Sequence, residues 1–409
     1  MIREFDVVVV GAGPIGGYLS RRFNEHGNSV LMIEEHDQIG RPFQCAGLVN
    51  PASMKTIGLE DSILTSIWGA NIHSPTGTRV TIGDPSVPRT FSVCRKLFDE
   101  AVVMQSIATG TELLLSSKPY SAIVFDEFVE VKIDGPNGDE TVHCKLLCGA
   151  DGAHSWVRRN FRMGNPRETM IGFQIEVTGY NGDSGMLDMY TGKNISPGFF
   201  SWAIPTGDTT RVGTWTKAEL MNGLSSEQYL DKLLQDQKIN SRFELCSEVA
   251  RFCGPVPSGI VRKPLIERVA LFGDSAGVCK PTTGGGIGPG FKQVDLLVPR
   301  LSKCMEKNEL SRGTMNSISA LLKEMARNQR KKRALRDAFL TEMSDVELER
   351  IFDVWARPEV TDLINEFGDI ENPIPLGIKM LREVPEFRRL AGRAAKACLL
   401  YTSPSPRDS

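Results

Sequence analysis

Four consecutive valines open the most readable pattern in the chain. In "FDVVVVGAGPIGGYLSRRFNEHGNSVLMIEEH", residues 5–36, an unbroken apolar run predicts a strand buried on both faces, and helical spacing of apolar positions follows from about Ile15 to His26. A second apolar run ends at Glu34, so the segment reads as one βαβ unit. After "IGRPFQCAGLVNP" the pattern becomes mixed. Alternating stretches such as "TRVTIG" predict antiparallel strands, and a helix is expected from about Lys96 to Thr109. "SAIVFDEFVEVKID", "PNGDE" and "TVHCKLLCGADG" predict a hairpin feeding back into the parallel sheet. From Thr169 to about Arg262 strand-like alternation dominates, with one helix near Ser226 to Gln237, and this predicts a separate antiparallel layer. "ERVALFGDSAG" returns to a buried strand. From Val294 onward the chain is charged and helical, and "MSDVELERIFDVW" places a Ser just before apolar residues at helical spacing.

Composition narrows the class. A chain of 409 residues with 41% apolar and 24% charged residues has room for two or three domains of a soluble globular protein. Its 48 Lys+Arg balance 50 Asp+Glu, so no overall field draws it to nucleic acid, and none is expected as a partner. The nine cysteines include no CxxC pair and no Cys/His spacing suited to zinc, which predicts reduced thiols and no metal. No apolar run approaches the roughly 20 residues of a membrane span, and the first strand begins by Phe5, leaving no room for a signal peptide. A cytoplasmic location is expected, with peripheral contact at the inner face of the membrane as the variant. The closing "CLLYTSPSPRD", Cys398 to Asp408, reads like a translated sequencing-library adapter, so 398–409 is expected to be a non-native tail.

Two glycine clusters carry the candidate chemistry. In "GAGPIG", Gly11 permits a tight turn, Gly13 lets backbone approach a pyrophosphate, and Gly16 lets the helix pack close to the strand. Glu34, eighteen residues after Gly16, ends the second strand, where a carboxylate accepts ribose hydroxyls. NAD and FAD both fit this unit. The second cluster, "GDSAGVCKPTTGGGIGPGF", places seven glycines in nineteen residues, Gly273 to Phe291. The run "RNQRKKRALR", Arg327 to Arg336, is the strongest cationic stretch and is expected to be a solvated helix face, with steering of a lipid phosphate as the alternative.

Two segments separate the cofactors. "CGADGAHSWVR", Cys148 to Arg158, resembles the Asp-Gly motif of the para-hydroxybenzoate hydroxylase-like flavoproteins, and "LFGDSAGVCKPTTGGGI" resembles their Gly-Asp motif. The resemblance implies FAD, held by Gly11, Gly13, Gly16, Glu34, Cys45, Ala46, Arg95, Asp151, Asp274, Gly285, Gly286 and Ile287. It places Asp274 on the ribityl chain and the second glycine cluster against the flavin. There, backbone N–H groups and the helix dipole stabilise the charge that builds on reduction. The implied architecture is α/β. A Rossmann-type FAD-binding domain (1–70, 91–165 and 263–310) is interleaved with an antiparallel-sheet substrate domain (71–90 and 166–262), and a C-terminal helical region (311–397) follows.

Three further features resemble the geranylgeranyl reductase family, and especially the archaeal digeranylgeranylglycerophospholipid reductases. "IGRPFQCAGLV" resembles their cysteine-bearing loop, which implies that Cys45 lies near the flavin; there its thiol is the candidate catalytic acid, protonating the alkene carbon opposite hydride delivery, with shaping of the flavin pocket as the alternative. "GFFSWAIP", Gly198 to Pro205, resembles their Tyr-x-Trp-x-Phe-Pro segment, which implies prenyl contacts from Phe200, Trp202, Ile204 and Pro205. "PTTGGGI", with "MSDVELERIFDVW" and "EFGDIENPIPLGIKML", resembles their C-terminal pattern. Phe200 stands where the family has Tyr and Ile204 where it has Phe, and Pro289 and Phe291 depart from the small residues expected after GGGI. The implied activity is FAD-dependent saturation of C=C bonds in geranylgeranyl chains. A transient donor, ferredoxin or a nicotinamide, is expected because no second GxGxxG is present. Two rivals are an aromatic hydroxylase or halogenase of the same superfamily, since "FSWAIP" approaches Trp-x-Trp-x-Ile-Pro without its first Trp, and a non-catalytic flavin- and lipid-binding protein.

Overall fold

A computed structural model describes residues 2–42, 45–368 and 374–390. The expected adapter-like tail, Cys398 and residues 369–373 of the C-terminal pattern lie outside the described residues.

The α/β expectation holds. Arg3–Val10 lies at the centre of a parallel sheet, flanked by Glu140–Gly149 on one side and Val30–Ile33 on the other. Glu112–Leu114 and Val269–Leu271 extend the two ends. Strict alternation along the four valines explains the burial. Val7 and Val9 enter one core, with the helices Pro14–Glu25, Arg95–Ala108 and Ile287–Glu306, while Val8 and Val10 enter the other. The hairpin strands Lys118–Val124 and Val129–Asp134 lead into Glu140–Gly149, as the pattern predicts. Helix Pro14–Glu25 starts with Pro at its first turn, where the missing N–H is harmless, and ends before Gly27 at φ +79°.

The second layer has seven strands, in the order Ser247–Ser258, Glu168–Thr178, Thr209–Lys217, Phe200–Thr206, Met186–Thr191, Gly69–His73 and Arg79–Gly83. Its pairs are antiparallel with one exception, the parallel pair of Met186–Thr191 and Gly69–His73, which joins segments over one hundred residues apart. Parity along Phe200–Thr206 sorts its side chains. Phe200, Trp202 and Ile204 enter one cluster, while Ala203 packs behind the sheet with Tyr190, Val212 and helix Ser226–Leu234. Helix Asp345–Trp355 begins with the Ser344/Glu347 capping box and, with Pro358–Phe367, covers the edge strand Arg79–Gly83, while Ile374–Glu383 packs against Pro358–Phe367.

The departures after GGGI have a packing reason. Phe291 is buried with its ring 4.3 Å from that of Tyr18, whose hydroxyl donates to Asp295 at 2.8 Å. Pro289 lies in the first turn of its helix, where no intrahelical bond is lost.

A cavity joining the glycine turns to an aromatic wall

One cavity of about 1300 Å³ runs from the carboxyl end of the parallel sheet to the seven-stranded layer. This is where open α/β sheets bind ligands. Three loops meet at its sheet end. Gly11 N–H donates to Ile33 O at 2.8 Å and Ala150 N–H to Val10 O at 2.8 Å, so the first turn and the Asp-Gly loop are stitched to neighbouring strands. A Cβ on Gly11, at φ +100°, would lie 2.5 Å from Ala150 O, so the crossing admits only glycine. Glu34 lines the cavity, with Oε2 accepting from Ala12 N–H at 2.8 Å and Oε1 from His36 N–H at 3.1 Å.

The Asp-Gly and Gly-Asp loops are clamped together. Arg158 donates to Ala153 O at 2.6 Å and to Ser275 O at 3.0 Å, so it acts from behind the site. Asp151 Oδ2 accepts from Val157 N–H at 3.0 Å, whereas its buried Oδ1 has no hydrogen-bond partner among the described residues, and burial pushes the carboxyl up. Asp274 accepts from the Cys279 thiol at 3.0 Å, and burial pushes both groups up.

At the junction with the second layer lies Cys45. Arg95 lies half-buried beside it. It forms a bidentate pair with Asp99 (2.8 and 2.8 Å) and reaches the Cys45 sulfur. Arg211 donates to Ala46 O at 2.9 Å and Val93 O at 3.1 Å, and a Cβ on Gly47 would lie 2.2 Å from its Nη1. Gln174 accepts from Trp202 Nε1 at 3.0 Å and approaches Cys45 O at 3.5 Å, so the aromatic wall and the cysteine loop share one buried amide.

Phe200, Trp202 and Ile204 line the far arm, together with Trp215, Ile72, Ile82, Phe352, Trp355 and Met380. Trp215 meets Trp202 edge-on, at 5.4 Å and 75°, and its indole covers Gly284, where a Cβ would lie 1.9 Å from the ring. The arm is thus walled by apolar and aromatic groups from both the sheet and the C-terminal helices.

Most of the expected site residues meet here: Gly11, Gly13, Glu34, Cys45, Ala46, Arg95, Asp151, Asp274, Gly285, Gly286 and Ile287 all line the cavity. Two do not. Gly16 sits behind the turn, where a Cβ would lie 1.9 Å from Gly11 O, so its place is in helix packing. Pro205 falls on the opposite parity from Trp202 and Ile204 and is absent from the cavity wall. The basic run is also corrected. Arg333 and Arg336 are buried and pair with Glu168 (2.7 and 2.8 Å), Arg336 also pairs with Asp337 (2.7 Å), and only part of the stretch faces solvent. Asp99, Gln174, Arg211, Trp215 and Lys280 were not singled out from the sequence; the cue for Lys280 was its place at the edge of the second glycine cluster.

The residues fit a long dinucleotide. Gly13 faces the cavity, with no atom of the described residues within 4 Å of where a Cβ would sit, and the Asp151 oxygen left without a partner among those residues lies in the same wall. Residues 4–309 match the family described as FAD binding domain.

The chain belongs to that family.

FAD is its cofactor. Among relatives, a digeranylgeranylglycerophospholipid reductase of Methanospirillum hungatei is 30% identical over 322 residues, 76% of this chain and 79% of the relative. An uncharacterized protein of Methanocaldococcus jannaschii is 28% identical over 391 residues, 93% and 96% of the two chains. A geranylgeranyl bacteriochlorophyll reductase-like protein from Thermoplasma acidophilum shares the fold, with a TM-score of 0.84 and 21% identity over 95% of this chain and all of that one. The resemblance to geranylgeranyl reductases drawn from the motifs therefore stands. Among the described residues no helix is long and apolar enough to cross a membrane.

Proposed function

We propose that this FAD-dependent oxidoreductase saturates C=C bonds of geranylgeranyl chains in archaeal-type membrane lipid synthesis, carried on a glycerophospholipid precursor or as the diphosphate. The observation that carries the reading is the continuity of one cavity: the FAD-binding turns open directly into an arm walled by Phe200, Trp202, Ile204 and Trp215. An isoprenoid has no hydrogen-bonding groups along its length, and such a wall holds it by apolar burial alone, about 25 cal/mol per Å². The chemistry FAD supplies when bound is two-electron transfer, including hydride delivery to carbon.

The chain's own residues supply the rest. Saturating one bond takes a hydride on one carbon and a proton on the other. Cys45, at the junction of the two arms, gives the proton from Sγ and is reprotonated from water. Arg95 beside it stabilises the thiolate left behind, and Asp99 fixes the guanidinium. Arg211 and Gln174 hold the loop that presents the thiol. The electron donor is transient, a ferredoxin or a nicotinamide, and the lipid substrate favours peripheral contact with the membrane.

The test is anaerobic incubation of the FAD-loaded protein with dithionite and digeranylgeranylglyceryl phosphate, then geranylgeranyl diphosphate. The reading requires a gain of about two mass units per saturated bond. In a parallel aerobic arm with a reduced nicotinamide and an aromatic substrate in place of dithionite and lipid, oxygen consumption with a hydroxylated or halogenated product would instead establish the superfamily's oxygen chemistry. Bound but unchanged lipid would establish a non-catalytic carrier.

A further inference from the structure

Lys280 stands at the edge of the second glycine cluster and takes no part in the proposed proton transfer. Its backbone closes a ring with the cluster: Lys280 N–H donates to Gly285 O at 3.1 Å and Gly284 N–H to Lys280 O at 2.9 Å. Buried side chains of helix Lys323–Arg336 lock the loop on both sides. Gln329 donates to Cys279 O at 2.9 Å, and Arg336 to Pro281 O at 2.7 Å. The lysine side chain lines the cavity and folds over Gly285, with Cε and Nζ 2.9 and 3.3 Å from where a Cβ on that glycine would sit. Helix Ile287–Glu306 starts immediately afterwards, with Gly286 as N-cap, no side-chain cap and no acidic residue in its first turn. Ammonium, backbone N–H groups and helix dipole thus converge on one patch of cavity wall. Asp274, whose carboxylate lies in that wall beside Gly286, accepts from the Cys279 thiol.

We infer that Lys280 is a redox-tuning residue, its ammonium group favouring the electron-rich form of the bound flavin over the oxidised form. Taking up two electrons and one proton leaves one negative charge on the pyrimidine side of the ring. A cation within about 4–6 Å shifts such an equilibrium by about tenfold or more. The inference rests on the reading that the ring lies against Gly284–Gly286.

The experiment uses FAD-loaded wild type, K280M, K280Q and K280R. It reads the midpoint potential by spectroelectrochemistry, with the electrode as electron source, and the dissociation constant of the flavin–sulfite adduct, which the same charge stabilises. K280M and K280Q are expected to disfavour reduction about tenfold, about 30 mV for a two-electron couple, and to weaken sulfite binding by a similar factor, while K280R keeps both. Wild-type potential and sulfite affinity in K280M and K280Q, with FAD bound at full stoichiometry, would overturn the inference. G285A tests its premise separately. If that variant leaves FAD affinity and the flavin absorption spectrum unchanged, the ring does not lie at this loop, and both the inference and the placement fall.

Discussion

Gly13 and Gly16 sit three residues apart in one motif, yet replacing each with Ala should damage different things. Gly13 is extended, φ −78° and ψ −178°, a conformation open to any residue, and no atom of the described residues lies within 4 Å of its Cβ position. G13A should therefore leave the apo fold intact, or stabilise it by about 0.4–1 kcal/mol through the unfolded chain. Its methyl, however, projects into the space a pyrophosphate must enter. Losing one or two charge-assisted hydrogen bonds, at about 1.5–3 kcal/mol each, should weaken FAD binding by about 100-fold. G16A is the reverse case. Its Cβ would lie 1.9 Å from Gly11 O and 3.0 Å from Gly11 C, so the helix must retreat from the turn. Overpacking of this kind costs about 1–3 kcal/mol and should appear as a lower Tm in the apo protein. Thermal unfolding without FAD and titration with FAD, followed by tryptophan fluorescence, separate the two effects. If G13A binds FAD as the wild type does, the pyrophosphate does not cross this turn and the cofactor placement is wrong.

Three other perturbations probe the rest of the cavity. C45A should keep FAD and lipid binding but lower the rate of alkene saturation by about 100-fold, the scale of a lost general acid; an unchanged single-turnover rate would make Cys45 a wall residue only. R336M removes one partner of a buried cluster and should destabilise the protein by about 3–5 kcal/mol, read by urea unfolding, because Glu168 would keep only Arg333; a loss below 1 kcal/mol would mean that solvent replaces the pair. Acid should act through the same cluster. Burial alone would raise the Glu168 and Asp337 carboxyls, but hydrogen bonds and charge from Arg336, with Arg333 on Glu168 and Lys217 on Asp337, outweigh it and hold both low. Their stabilisation is therefore complete above the unfolded carboxylate pKa of about 4 and is lost as pH falls through the depressed folded values. Tm should drop less steeply below pH about 4 in E168Q than in the wild type, and equal slopes would contradict the assignment.

The sequence made the cofactor end of the cavity legible because its determinants are local. A strand, a glycine turn, a helix and Glu34 follow one another within thirty-two residues, and each loop motif carries its own neighbours. Period-two alternation also contains the reason Phe200, Trp202 and Ile204 share a face, and the same parity excludes Pro205. The rest depends on contacts across the chain. Arg211 reaches Ala46 and Gln174 reaches Cys45 from strands more than one hundred residues away, which no local pattern records. The basic run misled for a related reason. Gln329, Arg333 and Arg336 lie on one helix face as a buried polar stripe. Hydropathy reads such a stripe as solvated unless the partners are known, here Glu168 and the carbonyls of the Gly-Asp loop. The cover that the C-terminal helices place over the aromatic arm, through Phe352, Trp355 and Met380, is likewise a product of tertiary packing.

A single anaerobic turnover links the two arms of the cavity in one observation. Stoichiometrically reduced, FAD-loaded protein is mixed with digeranylgeranylglyceryl phosphate or with its fully saturated counterpart, and flavin absorbance and lipid mass are followed together. Flavin reoxidation at the rate of a gain of about two mass units per FAD, seen with the unsaturated lipid alone, is the predicted result. Flavin that stays reduced beside bound but unchanged geranylgeranyl lipid would contradict the assignment of the aromatic arm to prenyl reduction.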